Sequence, residues 1–246
     1  MKTKKTGKTM RVAGLLLALV LVTSCFVGGT FAKYVTSGHG NDSARAAMFG
    51  VTVTATGSDG VFAKEYDSDT NDYTGKTVVA KANTNYKVVA PGTKSSDTAP
   101  LAVTLKGTPE VAVKVTYEAG VVTLANWQDK DGHFYCPLIF KITNGTNTTT
   151  VSTANEGINS AETFQNAIKN AIEKVSATYA PNTDLATATD HGLKVTWEWP
   201  FETGDTDEEK AANNIKDTYL GDMAAKGGVG VPTVTLGVTA TVTQVD

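Results

Sequence analysis

The chain has few of the residues from which most catalytic and metal sites are built. Its 246 residues include two cysteines and three histidines, and the histidines lie far apart in the sequence. Neither a His-Glu-x-x-His zinc motif nor a Gly-x-Ser-x-Gly nucleophile elbow occurs. The sequence therefore favours a protein that is not an enzyme and needs no cofactor, with a secreted peptidase as the least favoured class.

Positive charge is scarce outside the N-terminus. Five of the 22 basic residues and none of the 25 acidic residues precede Lys33, so the rest of the chain has a net charge of −8. Nucleic acid is excluded as an expected partner, because phosphate binding needs a basic surface. The negative charge instead favours solubility.

The N-terminus has the order of an export signal. A basic tip is followed by an apolar block, Val12–Val22, and then by a stretch of small residues that ends at Ala32. The block is shorter than the roughly 20 apolar residues that a permanent span needs. We therefore expect residues 1–32 to be a signal peptide, and residues 33–246 to form one secreted or surface domain.

Two processing routes are open. Signal peptidase would cleave after Ala32 and leave Lys33 as the first residue. The run Val22–Cys25 (VTSC) instead resembles a lipobox, which would make Cys25 a lipidated first residue and hold the protein at the membrane. We favour cleavage after Ala32, which leaves Cys136 as the only cysteine and excludes an internal disulfide. Cys136 lies in an apolar run, which predicts a buried and inert thiol.

Alternation of apolar and polar residues dominates the remaining chain. Such alternation, with many β-branched residues, predicts antiparallel strands that have one face in a core. The clearest runs are residues 51–56, 101–106, 111–117, 193–199 and 234–243. Gly-rich and Pro-containing turns separate them, including those at residues 90–93, 131–132 and 144–145.

Two segments break this pattern and predict helices. The first is residues 160–179, which Ser160 can cap and Pro181 ends. The second, residues 206–219, has little apolar content and is expected on the surface. Many strands with one or two inserted helices predict an antiparallel β-sandwich of jelly-roll type.

Two groups of residues are candidate binding sites. Asp67, Asp69, Asn71 and Asp72 resemble the opening of a calcium loop, but the glycine and glutamate that complete an EF-hand are absent. A solvated acidic loop is the favoured interpretation. Trp197 and Trp199 lie on one face of a predicted strand, where an exposed pair could stack on a sugar and a buried pair would fill the core. We favour the buried pair.

The signal junction resembles that of a known family. The run Gly28–Tyr34 (GGTFAKY), followed by Phe49–Val53 (FGVTV), is similar to the secreted proteins matured by SipW-type signal peptidases, the TasA and camelysin-like group of Gram-positive bacteria. The turn Val89–Thr93 (VAPGT) and the closing alternating strand are also similar. The resemblance implies a jelly roll with helices between strands and a role as a biofilm matrix fibre subunit. It also implies that the mature N-terminal segment serves as a strand for a neighbouring subunit.

These observations lead to a structural function. The expected protein is a self-assembling subunit of the cell envelope or matrix, joined by β-strand addition. Residues 33–50 would be a flexible assembly segment, and side chains near it would fill pockets of the neighbour: Val35, Met48, Phe49, Val51 and Val53. The alternative is a monomeric surface module that binds a glycan or host protein.

Mass spectrometry of the exported protein tests the processing. We expect the mass of a chain that begins at Lys33. The residue at position 32 is small, and the apolar block before it is too short to anchor the chain. A diacylated species that begins at Cys25 would show instead that the protein is a lipoprotein.

Overall fold

The computed structural model describes residues 45–56, 61–68, 75–80, 87–96 and 100–245. The signal peptide, Ala32, Lys33 and Val35 lie outside these ranges. Ala47–Asp246 is one compact unit that contains all the described strands and helices. Within the described residues, no helix is both long and apolar enough to cross a membrane.

The fold is mainly β, as the sequence predicts. Eleven strands are present in the described part of the chain: β1 Thr52–Thr56, β2 Glu65–Asp67, β3 Thr77–Ala80, β4 Thr93–Lys94, β5 Leu101–Lys106, β6 Val113–Ala125, β7 Ile139–Asn144, β8 Asn147–Val151, β9 Ala177–Tyr179, β10 Leu193–Trp199 and β11 Thr233–Gln244. The two helices are α1, Ala161–Glu173, and α2, Asp207–Lys226, and a 3₁₀ turn follows at Gly228–Gly230.

All strand pairs are antiparallel. The larger sheet has the order β1-β5-β10-β7-β8, and β4 also pairs with β10. The smaller sheet has the order β11-β6-β9, and β2 pairs with β3 in a hairpin. This confirms the predicted class of antiparallel β protein with two inserted helices, while the jelly-roll connectivity stays a prediction.

The alternating faces of the two sheets contribute to a single core. In β10 every second side chain is buried, from Leu193 to Trp199, and β5 and β7 follow the same rule. The inward side chains of β6 belong to the same buried cluster. Burial of this kind is the main favourable term in folding, at about 25 cal/mol per Å² of apolar surface.

Helix α1 covers part of the core. The Ser160 hydroxyl caps this helix by accepting a hydrogen bond from the Thr163 N–H. The Thr163 hydroxyl in turn accepts a hydrogen bond from the Ser160 N–H. The ring centre of Phe164 lies 6.0 Å from that of Phe140 on β7, and Ile168 is fully buried. The predicted cap is therefore confirmed.

The predicted end of α1 is wrong. The helix stops at Glu173, and Ala177–Tyr179 forms β9 instead. The Ser176 hydroxyl accepts the Tyr117 N–H, and β9 then pairs with β6. Tertiary pairing with β6 thus overrides the predicted helix at a segment where two residues, Thr178 and Tyr179, have low helical propensity. The second helix is longer than predicted, since it continues through Gly221 to Lys226.

The turn between β7 and β8 requires glycine. Asn144 pairs with Asn147, so Gly145 and Thr146 form the turn. Gly145 has a φ of +54°, and a Cβ placed on it would lie 1.7 Å from the carbonyl oxygen of Thr189. Gly132 also has positive φ, +82°, but a Cβ there would meet nothing within 4 Å.

These two glycines give a matched test of packing. Gly132→Ala should lower the free energy of unfolding by about 1–2 kcal/mol, through backbone strain alone. Gly145→Ala should cost about 3 kcal/mol or more, because a steric clash adds to the same strain. Urea denaturation of both variants measures the difference, and equal losses would contradict the close approach of Gly145 to Thr189.

Candidate functional site

The N-terminal entry to the sandwich is fixed at one point. The Met48 N–H donates to the Glu110 carboxylate at 2.8 Å, and the Glu110 N–H donates to the Met48 carbonyl at 2.8 Å. A Cβ on Gly107 would lie 2.1 Å from the Gly50 carbonyl oxygen, so the chain passes close to the β5–β6 loop here. The segment before Met48 therefore begins at a defined place on the domain.

The predicted assembly residues divide into two groups. Met48 and Phe49 are exposed, at 50% and 41% of their surface. Val51 packs against this chain's own core, and Val53 lies in β1, opposite Leu105. Val51 is therefore not available to fill a pocket of a neighbour, and this part of the expectation needs correction. Val53 is 39% exposed and β5 occupies only one edge of β1, so its contact with a second molecule stays a prediction.

Both ends of the larger sheet are strands without charge. β1 is Thr-Val-Thr-Ala-Thr and β8 is Asn-Thr-Thr-Thr-Val, and among the described strands each has a single neighbour. Natural sheets commonly protect such edges with lysine, proline or bulges, since unpaired N–H and C=O groups can pair with another chain. The structure thus leaves two pairing edges in one sheet.

The tryptophan pair is buried, as the sequence analysis favours. Trp197 is 1% exposed and Trp199 is 5% exposed. The Trp197 indole N–H donates to the Val61 carbonyl, and its ring lies 5.4 Å from that of Phe62. The two rings fill the core and offer no surface on which a sugar could stack.

Cys136 is likewise buried, and burial raises the pKa of its thiol far above the usual range. Reactive cysteines have a lowered pKa and partial exposure. The prediction of a buried thiol is confirmed, and the raised pKa supports the prediction that it is inert.

Of the calcium candidates, only Asp67 lies within the described residues. Its carboxylate accepts the Thr77 hydroxyl across the β2–β3 hairpin at 2.9 Å. Asp69, Asn71 and Asp72 lie outside the described residues, so calcium binding there stays a prediction.

The loop between β6 and β7 brings together Asp129, Asp131 and His133, whose ligand atoms lie within 4.8 Å of one another. Asp129 accepts the backbone N–H groups of Asp131 at 2.9 Å and His133 at 3.0 Å. Burial raises the pKa of Asp129. The two N–H donors and the His133 ring lower this pKa by more, so it lies below its usual value. Lys130 pairs with Asp131 at 2.9 Å. These contacts make a closed turn, as predicted for residues 131–132, and we assign no metal to it.

A buried polar cluster that the sequence analysis missed lies under α2. Asp217 is 8% exposed and accepts the Tyr135 hydroxyl at 2.8 Å. The Lys216 ammonium lies 5.0 Å from the centre of the Tyr135 ring, a cation–π distance. The buried residues of this helix are Asp217 and Leu220. Asp217 is therefore one of the two buried side chains through which α2 packs on the domain. The only sequence signal for this cluster was the spacing of three residues between Asp217 and Leu220, which places both on one side of a helix.

Burial raises the pKa of Asp217 above its usual value, although Tyr135, Trp199 and Lys216 each lower it. A carboxyl group whose folded pKa is raised binds its proton more tightly in the folded state. Its contribution to stability is therefore greatest in acid and is lost as the pH rises through the folded pKa.

Comparison of the chain with protein-family models, with curated proteins and with solved structures finds no match in any of the three. The functional argument therefore rests on the fold and on the residues described above.

The Asp217 cluster gives a test that depends on pH. Tyr135→Phe should lower the free energy of unfolding by about 1–3 kcal/mol at pH 7, because the buried carboxylate loses its hydrogen-bond donor.

Asp217→Asn keeps an acceptor for Tyr135 and removes the charge. Its free energy of unfolding, relative to that of the unaltered protein, should therefore be higher at pH 7 than at pH 4. Thermal unfolding across this range measures both. A relative stability of Asp217→Asn that does not change with pH would contradict the raised pKa.

Proposed function

We propose that this chain is an exported structural subunit of the cell envelope or biofilm matrix, which assembles into fibres by β-strand addition. The mature N-terminal segment of one molecule would complete the sheet of the next. The observation that carries the proposal is a larger sheet that ends, on both sides, in strands without charge. The resemblance of the signal junction to the TasA and camelysin-like group supports the same function.

The position of the segment favours growth from end to end. It precedes β1, which is one end of the larger sheet, while β8 is the other end. A segment that leaves one molecule at the β1 end and adds to β8 of a second molecule makes a heterologous contact. Contacts of this kind repeat without closing and generate filaments.

The length of the segment fits the edge. The 15 residues from Lys33 to Ala47 can span at most roughly 50 Å when extended. Strand β8 has five residues, a length of roughly 17 Å. The remainder is enough to cross from one molecule to the next. Backbone hydrogen bonds would supply the affinity, with Val35, Met48 and Phe49 as the side chains available for pockets.

Deletion of Lys33–Ala47 should abolish filaments and leave the domain folded, because every strand in the described part of the chain begins at Thr52 or later. Negative-stain electron microscopy of the exported protein scores filaments, and thermal unfolding checks the fold. Normal filaments from the deleted protein would contradict the proposal.

A pair of point variants within the segment sharpens the test. Val35→Asp places a charge at a position expected to enter a pocket and should reduce filament mass at least about tenfold, since a buried unpaired charge is costly. Thr36→Asp adds the same charge on the opposite face of an extended strand and should have a much smaller effect. Equal loss in both variants would indicate a general effect of charge and not a strand with one inward face.

A further inference from the structure

The longest open edge belongs to the smaller sheet. Within the described residues, β6 is the only strand that pairs with β11, and their register shifts once, between Leu236 and Val238. From Val238 to Gln244 the pairing is regular, and this run contains no charged residue and no proline. Because edges of this kind are usually protected, its plain composition points to a pairing surface.

The hydrogen bonds determine which backbone groups face outward. The Val245 N–H donates to the Ala112 carbonyl at 2.9 Å, so Val245 turns toward β6. In an antiparallel pair, successive residues direct their backbone N–H and C=O groups alternately toward the partner strand and away from it. The backbone groups of the threonines in this run therefore bond to β6, and those of the residues between them point away from β6. The outward-facing backbone groups belong to Val238, Ala240, Val242 and Gln244.

We propose that this edge pairs with the same edge of a second copy, antiparallel and centred on Thr241. In this register Val238 lies opposite Gln244 of the second copy, and Ala240 lies opposite Val242. Every residue with outward backbone groups then meets another one, which an antiparallel ladder requires. The two smaller sheets become one continuous sheet across a twofold axis.

Charge on the neighbouring strand weakly favours this register over one centred on Thr243, since the charged rows lie three strand spacings, roughly 14 Å, apart. On β6, Glu118 lies opposite Thr239 and Lys114 lies opposite Thr243, and both charged residues are exposed. Centring on Thr241 places Thr239 of one copy against Thr243 of the other. Each cross-sheet row then carries Glu118 from one copy and Lys114 from the other, which are opposite in sign. A shift of the centre to Thr243 would instead place the two Lys114 residues in one row.

A second copy of β11 is also a better occupant than the N-terminal segment. The run Val238–Gln244 is rich in valine and threonine, which favour strands, and the N-terminal segment is already assigned to the larger sheet in the proposed function. The twofold contact is isologous and closes as a dimer. It uses the smaller sheet, so it does not depend on the strand addition proposed for the larger one.

Charge at the symmetry axis tests this contact. Thr241→Lys places two lysines directly opposite each other in the dimer, while Thr241 is exposed in the single chain. Sedimentation equilibrium of the non-filamentous fraction of the purified exported protein should show a dimer. Its dissociation constant should rise about tenfold or more in this variant, because like charges repel at close range. Thr235→Lys is the matched control. It lies on the same strand and face but outside the paired run, and it should leave the dissociation constant within about twofold of the unaltered value.

Charge exchange makes the test specific. Thr241→Glu should also weaken the dimer, and an equal mixture of the Lys and Glu variants should form a heterodimer at least as tight as the unaltered dimer. A monomer at all concentrations, or a mixture that does not recover, would overturn the inference. Loss of filaments in Thr241→Lys with the dimer unchanged would show instead that β11 receives the N-terminal segment. Loss of the dimer with filaments kept would leave the two contacts independent, as inferred.

Discussion

An open antiparallel sheet leaves a row of backbone N–H and C=O groups without partners along each edge, and this fold has several such edges. The larger sheet ends in β1 and β8, and the smaller one has the twelve-residue β11 on one side. None of these three strands carries a charge. Sheets that must stay separate usually place lysine or proline at such positions. Both proposed contacts depend on these edges.

Much of the fold was predictable because its periodicity is strong. Residues 101–106 and 193–199 alternate without interruption, and both form strands with those bounds. The end of α1 was not predictable, since residues 177–179 gain a partner in β6 that the sequence does not reveal. The sequence underestimates the length of α2 because glycine commonly ends helices, whereas Gly221 lies inside this helix and Gly227 is its C-cap. A distant contact decided only the first case.

The candidate site was predictable only in part. The sequence placed a strand-competent segment near residues 33–53, and the structure assigns its last two residues, Thr52 and Val53, to β1 of the molecule's own sheet. The Tyr135–Asp217 hydrogen bond joins residues 82 positions apart, and no local pattern announces such a pair. A buried carboxyl group under a mostly polar helix shows that α2 is seated by a few specific contacts. The open edges themselves emerge only from the order of strands in each sheet.

Amide hydrogen exchange of the assembled protein, compared with dilute protein, tests the central claim most directly. Exchange reports whether each N–H group is hydrogen-bonded. If copies join through their strand edges, assembly should slow exchange at the outward amides of β8 and of Val238, Ala240 and Val242. The amides of Thr239, Thr241 and Thr243, already bonded to β6, should change little. Protection confined to loops and helices, with the edge amides still exchanging freely, would contradict assembly through the sheet edges.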